Sequence, residues 1–265
     1  MTFTTSDGVR IAYAVDDFTD PWKPSATVVL LHAAMSSKAR FHAWVPPLAR
    51  HFRVVRMDAR GHGESEAPGA DKPVTIERLT RDVVELLDHL GIARAHVSGS
   101  SAGGYPAQWL AITRPERVDK LALFSSTPGF SYHTPEARAD TWIPTIREKG
   151  VDGLLADTIA ARVDPTKVER GFIDWMLAEA RRMNRDFTCR FLQAMVTLDI
   201  GDRVHEIAAP TLVVVPGGDT VCSKQGYDRL RKIPNHRWVV YEDAAHNITN
   251  GMADRCAADL LRFLS

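Results

Sequence analysis

The sequence has few cysteines, no net charge and no long apolar run, and each shortage excludes a class of protein. Cys189, Cys222 and Cys256 are odd in number and widely spaced. They predict neither a disulfide framework nor a metal cluster, and they favour a reducing, cytoplasmic location. The 33 basic and 33 acidic residues give a formal net charge of zero, which leaves no basic field for nucleic acid or a membrane surface. Residues 1–8 lack a signal-peptide pattern, and no apolar run approaches the roughly 18 residues of a membrane span.

The chain does contain a regular alternation of apolar runs and helical spacings. Asp7-Gly8 lies between two β-rich runs and predicts a hairpin. Strands are then predicted at 27–31, 53–57, 93–98 and 121–124, with helical spacings between them, and again at 211–215 and 237–241. This order favours an α/β protein with a mostly parallel sheet and right-handed crossovers.

The alternation is interrupted between residues 127 and 205, where no strand pattern occurs. Apolar spacing there predicts four helices, near 142–146, 154–159, 164–183 and 187–195. Asp164 is expected to cap the third of these, with Pro165 at its first position. The sequence therefore predicts one core, residues 1–126 and 206–265, with a helical cap, residues 127–205, inserted before the last two strands.

The most informative motif is Gly-x-Ser-x-Gly at Gly99, Ser101 and Gly103. An apolar strand precedes it and a helical pattern follows, so the chain must turn sharply at Ser101. The flanking glycines lack a Cβ and allow the two elements to approach closely. Such a turn exposes a serine hydroxyl at the sheet edge beside the first N–H groups of a helix, the geometry of a serine nucleophile.

A serine nucleophile needs a base, and the base needs an acid that fixes its tautomer. Of ten histidines, His246 lies in the loop directly after the last predicted strand. Asp219 follows the strand before that one, so both side chains are expected at the same sheet edge as Ser101. Asp228 and Asp243 are rival acids, but Asp228 is predicted within a helix and Asp243 at a strand end. We expect Ser101, Asp219 and His246 to form a catalytic triad.

Attack on a carbonyl develops an oxyanion, which two backbone N–H groups can stabilise. Ala102, directly after the nucleophile, is one expected donor, and Ala34, after the strand that ends at Leu31, is the other, with Ala33 as the alternative. Three other residues near these motifs are not assigned a catalytic role. His32 and His62 are expected to brace loops, and Cys222 lacks an adjacent base.

These stretches, together with 57–65 and 108–118, resemble the α/β-hydrolase superfamily over nearly the whole chain, and most closely its 3-oxoadipate enol-lactonase-like and small carboxylesterase branch. The resemblance implies a sheet of about eight strands, a cap over the nucleophile and cofactor-free hydrolysis through an acyl-enzyme. The chain departs from many relatives at Ala33, where they have glycine, and at Ala102, where they have a bulky residue. The second departure is expected to open space beside the oxyanion site.

The predicted cap is rich in aromatic and arginine residues. They are Phe130, Tyr132, Trp142, Phe172, Trp175, Phe187 and Phe191, and Arg138, Arg147, Arg162, Arg181, Arg182, Arg185 and Arg190. An arginine fork facing the pocket would recognise a substrate carboxylate. Most of the arginines are nevertheless expected in solvent, and the aromatic residues are expected to pack the cap on the core.

The sequence thus predicts a serine hydrolase that cleaves a small ester or lactone. Three alternatives stay open: a carbon–carbon bond hydrolase acting on a vinylogous diketone with the same triad, a ligand receptor that retains the triad, and a cofactor-free oxygenase on the same fold. The expected partner is a small-molecule substrate, with no cofactor or metal. The sequence leaves the oligomeric state open.

Overall fold

The computed structural model describes all 265 residues and contains one eight-stranded sheet. The strands are β1 (Thr2–Thr4), β2 (Arg10–Asp16), β3 (Thr27–Leu31), β4 (Arg53–Met57), β5 (Ala95–Ser100), β6 (Val118–Phe124), β7 (Thr211–Pro216) and β8 (His236–Tyr241). Their spatial order is β1-β2-β4-β3-β5-β6-β7-β8. The pairs β1–β2 and β2–β4 are antiparallel and all other pairs are parallel. The predicted mostly parallel sheet is therefore confirmed.

Ten α-helices accompany the sheet. They are α1 (Val45–Ala49), α2 (Ile76–His89), α3 (Gly104–Thr113), α4 (Ala139–Asp157), α5 (Ile159–Arg162), α6 (Arg170–Arg181), α7 (Arg185–Met195), α8 (Lys224–Arg229), α9 (Ile248–Gly251) and α10 (Ala253–Leu264). None of them combines the length and the hydrophobicity that crossing a bilayer requires.

Alternate residues of the central strands enter two separate cores because successive side chains of a strand point to opposite faces. In β3, Val29 and Leu31 belong to a core of 53 buried residues that includes the apolar faces of α2 and α3. Val28 and Leu30 belong to a core of 19 residues on the other face, built with α1 and α10. Because these strands are buried on both faces, their sequences are continuous apolar runs and not an alternation of apolar and polar residues.

Residues between β6 and β7 form helices α4 to α7 and no strand of the sheet. Their apolar residues, including Ile146 and Leu192, belong to the same large core as the residues of α2 and α3. The inserted helices therefore share a hydrophobic interior with the rest of the chain. The two helices predicted near 142–146 and 154–159 are joined as α4, which kinks at Gly150, where φ is +85°.

Three expected boundaries differ from the structure. Asp164 does not cap a helix: its carboxylate accepts hydrogen bonds from the N–H and hydroxyl of Thr166, at 2.9 and 2.6 Å, and so closes a local turn. Helix α6 begins only at Arg170 and ends before Met183. Strand β5 continues past residue 98, because Gly99 and Ser100 pair with Leu123 and Phe124 of β6. The predicted hairpin is present as β1 and β2, with Gly8 at φ +80°.

Candidate active site

Ser101 lies at the sharp turn between β5 and α3. Its φ is +49°, in the left-handed region that a serine adopts only under constraint from its surroundings. Neighbouring backbone segments approach this turn so closely that Gly99 and Gly103 leave no room for a Cβ. A Cβ on Gly103 would lie 2.3 Å from the carbonyl oxygen of Leu31, and one on Gly99 would lie 2.5 Å from the carbonyl oxygen of Gly103. From the next strand end, the Ser126 hydroxyl donates to the Ser101 carbonyl oxygen at 2.8 Å.

The structure brings the three residues of the predicted triad into one hydrogen-bonded chain. Ser101 Oγ lies 2.9 Å from His246 Nε2, and His246 Nδ1 lies 2.8 Å from Asp219 Oδ2. Since Asp219 can only accept when ionised, Nδ1 carries the proton in neutral His246, and Nε2 is free to accept from the serine hydroxyl. All three side chains are shielded from solvent, with His246 only 2 % exposed.

Asp219 is held by more donors than His246 alone. Its Oδ1 accepts from the backbone N–H of Val221 at 2.7 Å and of Cys222 at 3.1 Å, and its Oδ2 accepts from the Tyr227 hydroxyl. Burial raises the pKa of Asp219, but its electrostatic interaction with His246 and these hydrogen-bond donors outweigh burial, so the pKa lies below its ordinary value. The carboxylate is therefore ionised at neutral pH. Tyr227 was not predicted from the sequence, where its only signal was its position in the helix predicted after the Asp219 loop.

The rival acids lie elsewhere. Asp228 is exposed and pairs with Arg231, three residues further on, and the exposed Asp243 makes no hydrogen bond or ion pair with His246. Cys222 is buried beside the triad, and this burial raises the pKa of its thiol well above the ordinary value. Its sulfur and the ligand atoms of Asp219 and His246 lie within 4.8 Å of one another. Metal binding needs a deprotonated thiol, and here the Cys222 thiol stays protonated while Asp219 and His246 are hydrogen-bonded to each other. These three residues are therefore poorly suited to bind a metal ion.

The two alanines expected to supply the oxyanion donors lie at one small, mainly apolar cavity. Ala34 and Ala102 both line it, together with Pro106 and Phe191. The N–H of Ala34 makes no hydrogen bond within the protein. His32 fixes this loop, since its Nδ1–H donates to the carbonyl oxygen of Ala33 at 2.7 Å and its Nε2 accepts from the N–H of Ala59 at 3.0 Å.

His62 occupies the wall of the same cavity. Its Nδ1–H donates to the carbonyl oxygen of Arg60 at 3.0 Å, which leaves Nε2 as an acceptor with no protein partner. Burial and the neighbouring His32 lower the pKa of His62 to about 4, so the ring is neutral at pH 7. The bonding of both histidines agrees with the expected loop-bracing roles.

The inserted helices contact both sides of this region. On one side, Arg40, just after the loop of Ala34, pairs with Glu179 of α6 at 2.6 Å, and both side chains are buried. On the other side, the backbone N–H of His246 donates to the carbonyl oxygen of Ala161 at 3.2 Å, and the backbone N–H of Asn247 donates to the carbonyl oxygen of Arg162 at 2.7 Å. No sequence pattern predicted these pairings, because the partners are far apart in the chain.

The fold and this geometry define the class of protein. Residues 26–249 match the family of the alpha/beta hydrolase fold, and the chain belongs to that family. It is a hydrolytic enzyme of the α/β-hydrolase type, as the resemblance implied.

Three similar proteins stand out within this class. A Caulobacter sp. (strain K31) protein named as a carbamate hydrolase is 30% identical over 258 residues, 89% of this chain and 90% of its own. A 2-hydroxy-6-oxononadienedioate/2-hydroxy-6-oxononatrienedioate hydrolase of Paraburkholderia xenovorans is 32% identical over 215 residues, 74% of this chain and 72% of its own. The crystal structure of the enol-lactonase from Burkholderia xenovorans superposes with a TM-score of 0.89 at 26% identity, covering 100% of this chain and 99% of that one. The predicted enol-lactonase-like branch is thereby confirmed.

Proposed function

We propose that the protein is a serine hydrolase that cleaves a small carboxylic ester or lactone through an acyl-enzyme. The observation that carries this proposal is the unbroken hydrogen-bonded chain from Ser101 through His246 to Asp219. A hydroxyl becomes a competent nucleophile only when a base takes its proton during attack, and this arrangement supplies that base.

In the proposed reaction, Ser101 Oγ attacks the substrate carbonyl while its proton passes to His246 Nε2. Asp219 stabilises the resulting imidazolium through Nδ1–H. The carbonyl oxygen becomes an oxyanion, and the N–H groups of Ala34 and Ala102 are proposed to bind it. His246 then protonates the leaving oxygen, the C–O bond breaks, and an acyl-serine remains. Water, deprotonated by His246, attacks the acyl group and releases the acid and free Ser101.

We further propose that residues 127–205 act as a cap over this site in a cytoplasmic enzyme with a small-molecule substrate. The support for the cap is its backbone hydrogen bonds to the His246 loop and the ion pair between Arg40 and Glu179. The support for a reducing compartment is that all three cysteines are free and buried.

A carbon–carbon bond hydrolase is the second candidate. The similarity to the P. xenovorans hydrolase favours it, since that relative covers 74% of the chain. The same three residues would serve either reaction, so activity has to separate them.

The test is a panel of short aryl esters, five- and six-membered lactones and a coloured ring-cleavage dienoate. The wild type, Ser101→Ala and Ser100→Ala are compared on it. Ser100 is a matched control because its buried hydroxyl, one residue from Ser101, hydrogen-bonds to Thr249 Oγ1 at 3.0 Å and not to His246. We expect the wild type to hydrolyse esters or lactones with a burst of released alcohol, Ser101→Ala to be inactive, and Ser100→Ala to keep most activity. Ester turnover by Ser101→Ala at the wild-type rate would reject the proposal, and turnover of the dienoate alone would select the second candidate.

A further inference from the structure

Four arginine side chains are buried in this protein: Arg40, Arg60, Arg78 and Arg162. Three of them follow the rule that a buried charge is paired with an opposite charge. Arg40 bonds to Glu179, Arg60 to Asp82 and Asp7, and Arg78 to Asp82 and Glu85. Arg162, only 4 % exposed, has no carboxylate partner. The exception therefore calls for a physical explanation.

The guanidinium of Arg162 donates one hydrogen bond within the protein, and one of its terminal nitrogens has no acceptor. Its Nε–H donates to the Thr158 hydroxyl at 3.0 Å, and its buried Nη2 has no acceptor within the protein. Its central carbon lies 5.0 Å from the ring centroid of Trp142, itself 3 % exposed, whose indole N–H is also buried without an acceptor. Burial and the charge of Arg40 lower the pKa of Arg162 to about 10. The group thus stays cationic at neutral pH, beside a second unused donor.

The backbone of Arg162 lies beside the loop that carries the proposed base. The carbonyl oxygen of Arg162 accepts the N–H of Asn247, directly after His246, and the charge of Asp219 acts on the guanidinium. In the proposed reaction His246 must protonate the leaving oxygen. The leaving-group portion of a substrate therefore has to lie along the His246 loop, and α5 brings Arg162 to that loop.

We infer that Arg162, assisted by the Trp142 N–H, binds a carboxylate on the leaving-group portion of the substrate. The inference rests on the proposed hydrolase function and narrows its substrates to anionic esters or lactones. A carboxylate fits because Arg162 and Trp142 offer only donors, because the guanidinium fork matches its two oxygens, and because its charge compensates a cation that no residue of this chain pairs.

The test compares two substrates of nearly equal shape, 3-acetoxybenzoate and 3-acetoxybenzamide. Both release acetate from a phenolic oxygen, and only the first carries a charge on the leaving group. The variants are Arg162→Met, which keeps the stem and removes the charge, and Arg162→Lys, which keeps the charge. Arg170→Met is the matched control, because Arg170 lies exposed in the same insert and pairs only with Asp174 of its own helix.

We expect wild-type kcat/KM to favour the anionic ester by roughly ten- to a hundredfold, the range of a charge-assisted hydrogen bond. In Arg162→Met this ratio should fall to about one, in Arg162→Lys it should remain above one, and in Arg170→Met it should equal that of the wild type. The melting temperature of Arg162→Met should not fall, since a methionine removes an unpaired buried charge.

Two outcomes overturn the inference while leaving the hydrolase function intact. One is a wild type that hydrolyses the amide-substituted ester as well as the anionic one. The other is a preference for the anion that survives in a folded Arg162→Met. Failure of the wild type to cleave these two esters and every ester and lactone of the panel above would instead refute the proposed function, and this inference with it.

Discussion

Replacing Asp219 by asparagine tests the proposed triad most sharply, because the change is isosteric and every atom around the carboxylate is accounted for. One oxygen accepts from the N–H groups of Val221 and Cys222 and the other faces His246 Nδ1 and the Tyr227 hydroxyl. An asparagine keeps the hydrogen bonds from the N–H groups of Val221 and Cys222 only if its amide oxygen occupies the position of Asp219 Oδ1. Its NH₂ group must then face His246.

An NH₂ group at that position donates to Nδ1 instead of accepting from it, and so drives the histidine to the tautomer with its proton on Nε2. This proton then points at Ser101 Oγ, and the base is lost although the geometry is kept. The loss of catalysis expected from a reversed tautomer in such a triad is about 10,000-fold in kcat. Because the backbone bonds persist, the melting temperature should change little.

The assay is steady-state hydrolysis of an aryl acetate at pH 7.5, with thermal unfolding followed in parallel. Asp228→Asn is the matched control, because this rival acid is exposed and pairs only with Arg231; we expect it to retain wild-type kcat. A folded Asp219→Asn that loses less than about tenfold in kcat would show that Asp219 does not set the tautomer, and the reasoning from its four donors would be wrong.

Three further predictions concern packing and charge. Gly103→Ala should lower the free energy of unfolding by about 1–3 kcal/mol and reduce kcat/KM, because its Cβ would lie 2.3 Å from the backbone oxygen of Leu31 and displace the loop that follows. Urea unfolding and initial rates measure the two effects. Glu179→Leu should destabilise the fold by about 3–5 kcal/mol because it leaves Arg40 charged and buried, whereas adding Arg40→Met should recover most of the loss in the same urea assay. Burial lowers the pKa of His133 to about 3, so the unfolded chain binds the extra proton first as the pH falls below about 6.5. Stability should therefore decrease on acidification, by up to about 1.4 kcal/mol per pH unit from this ring, and His133→Phe should flatten that slope in pH-dependent melts.

Each of these has a result that would contradict it. A Gly103→Ala protein with wild-type rates would mean that the loop tolerates the added methyl group. A double variant as unstable as Glu179→Leu alone would show that packing, and not the unpaired charge, dominates that site. An unchanged acid slope in His133→Phe would assign the slope to other groups, such as His62.

The sequence predicted most of the sheet because strands buried on both faces leave continuous apolar runs, a signal that needs no knowledge of neighbours. It failed at Asp164, where a short polar side chain bonded two residues ahead instead of capping a helix. Local pattern cannot distinguish these two uses of an aspartate, since both satisfy the same backbone donors. It also gave no signal for the ion pair of Arg40 and Glu179, whose partners are separated by 139 residues.

The sequence by itself determined the order of elements, the elbow at Ser101 and the placement of Asp219 and His246 after successive strands. These follow from periodicity and from glycines at a turn, which act over a few residues. Only the tertiary structure decided the distances that turn this placement into a hydrogen-bonded chain, the donors around Asp219 and the burial of Arg162 without a carboxylate. Such contacts join residues that meet through the packing of the whole sheet and its inserted helices, so no local pattern records them.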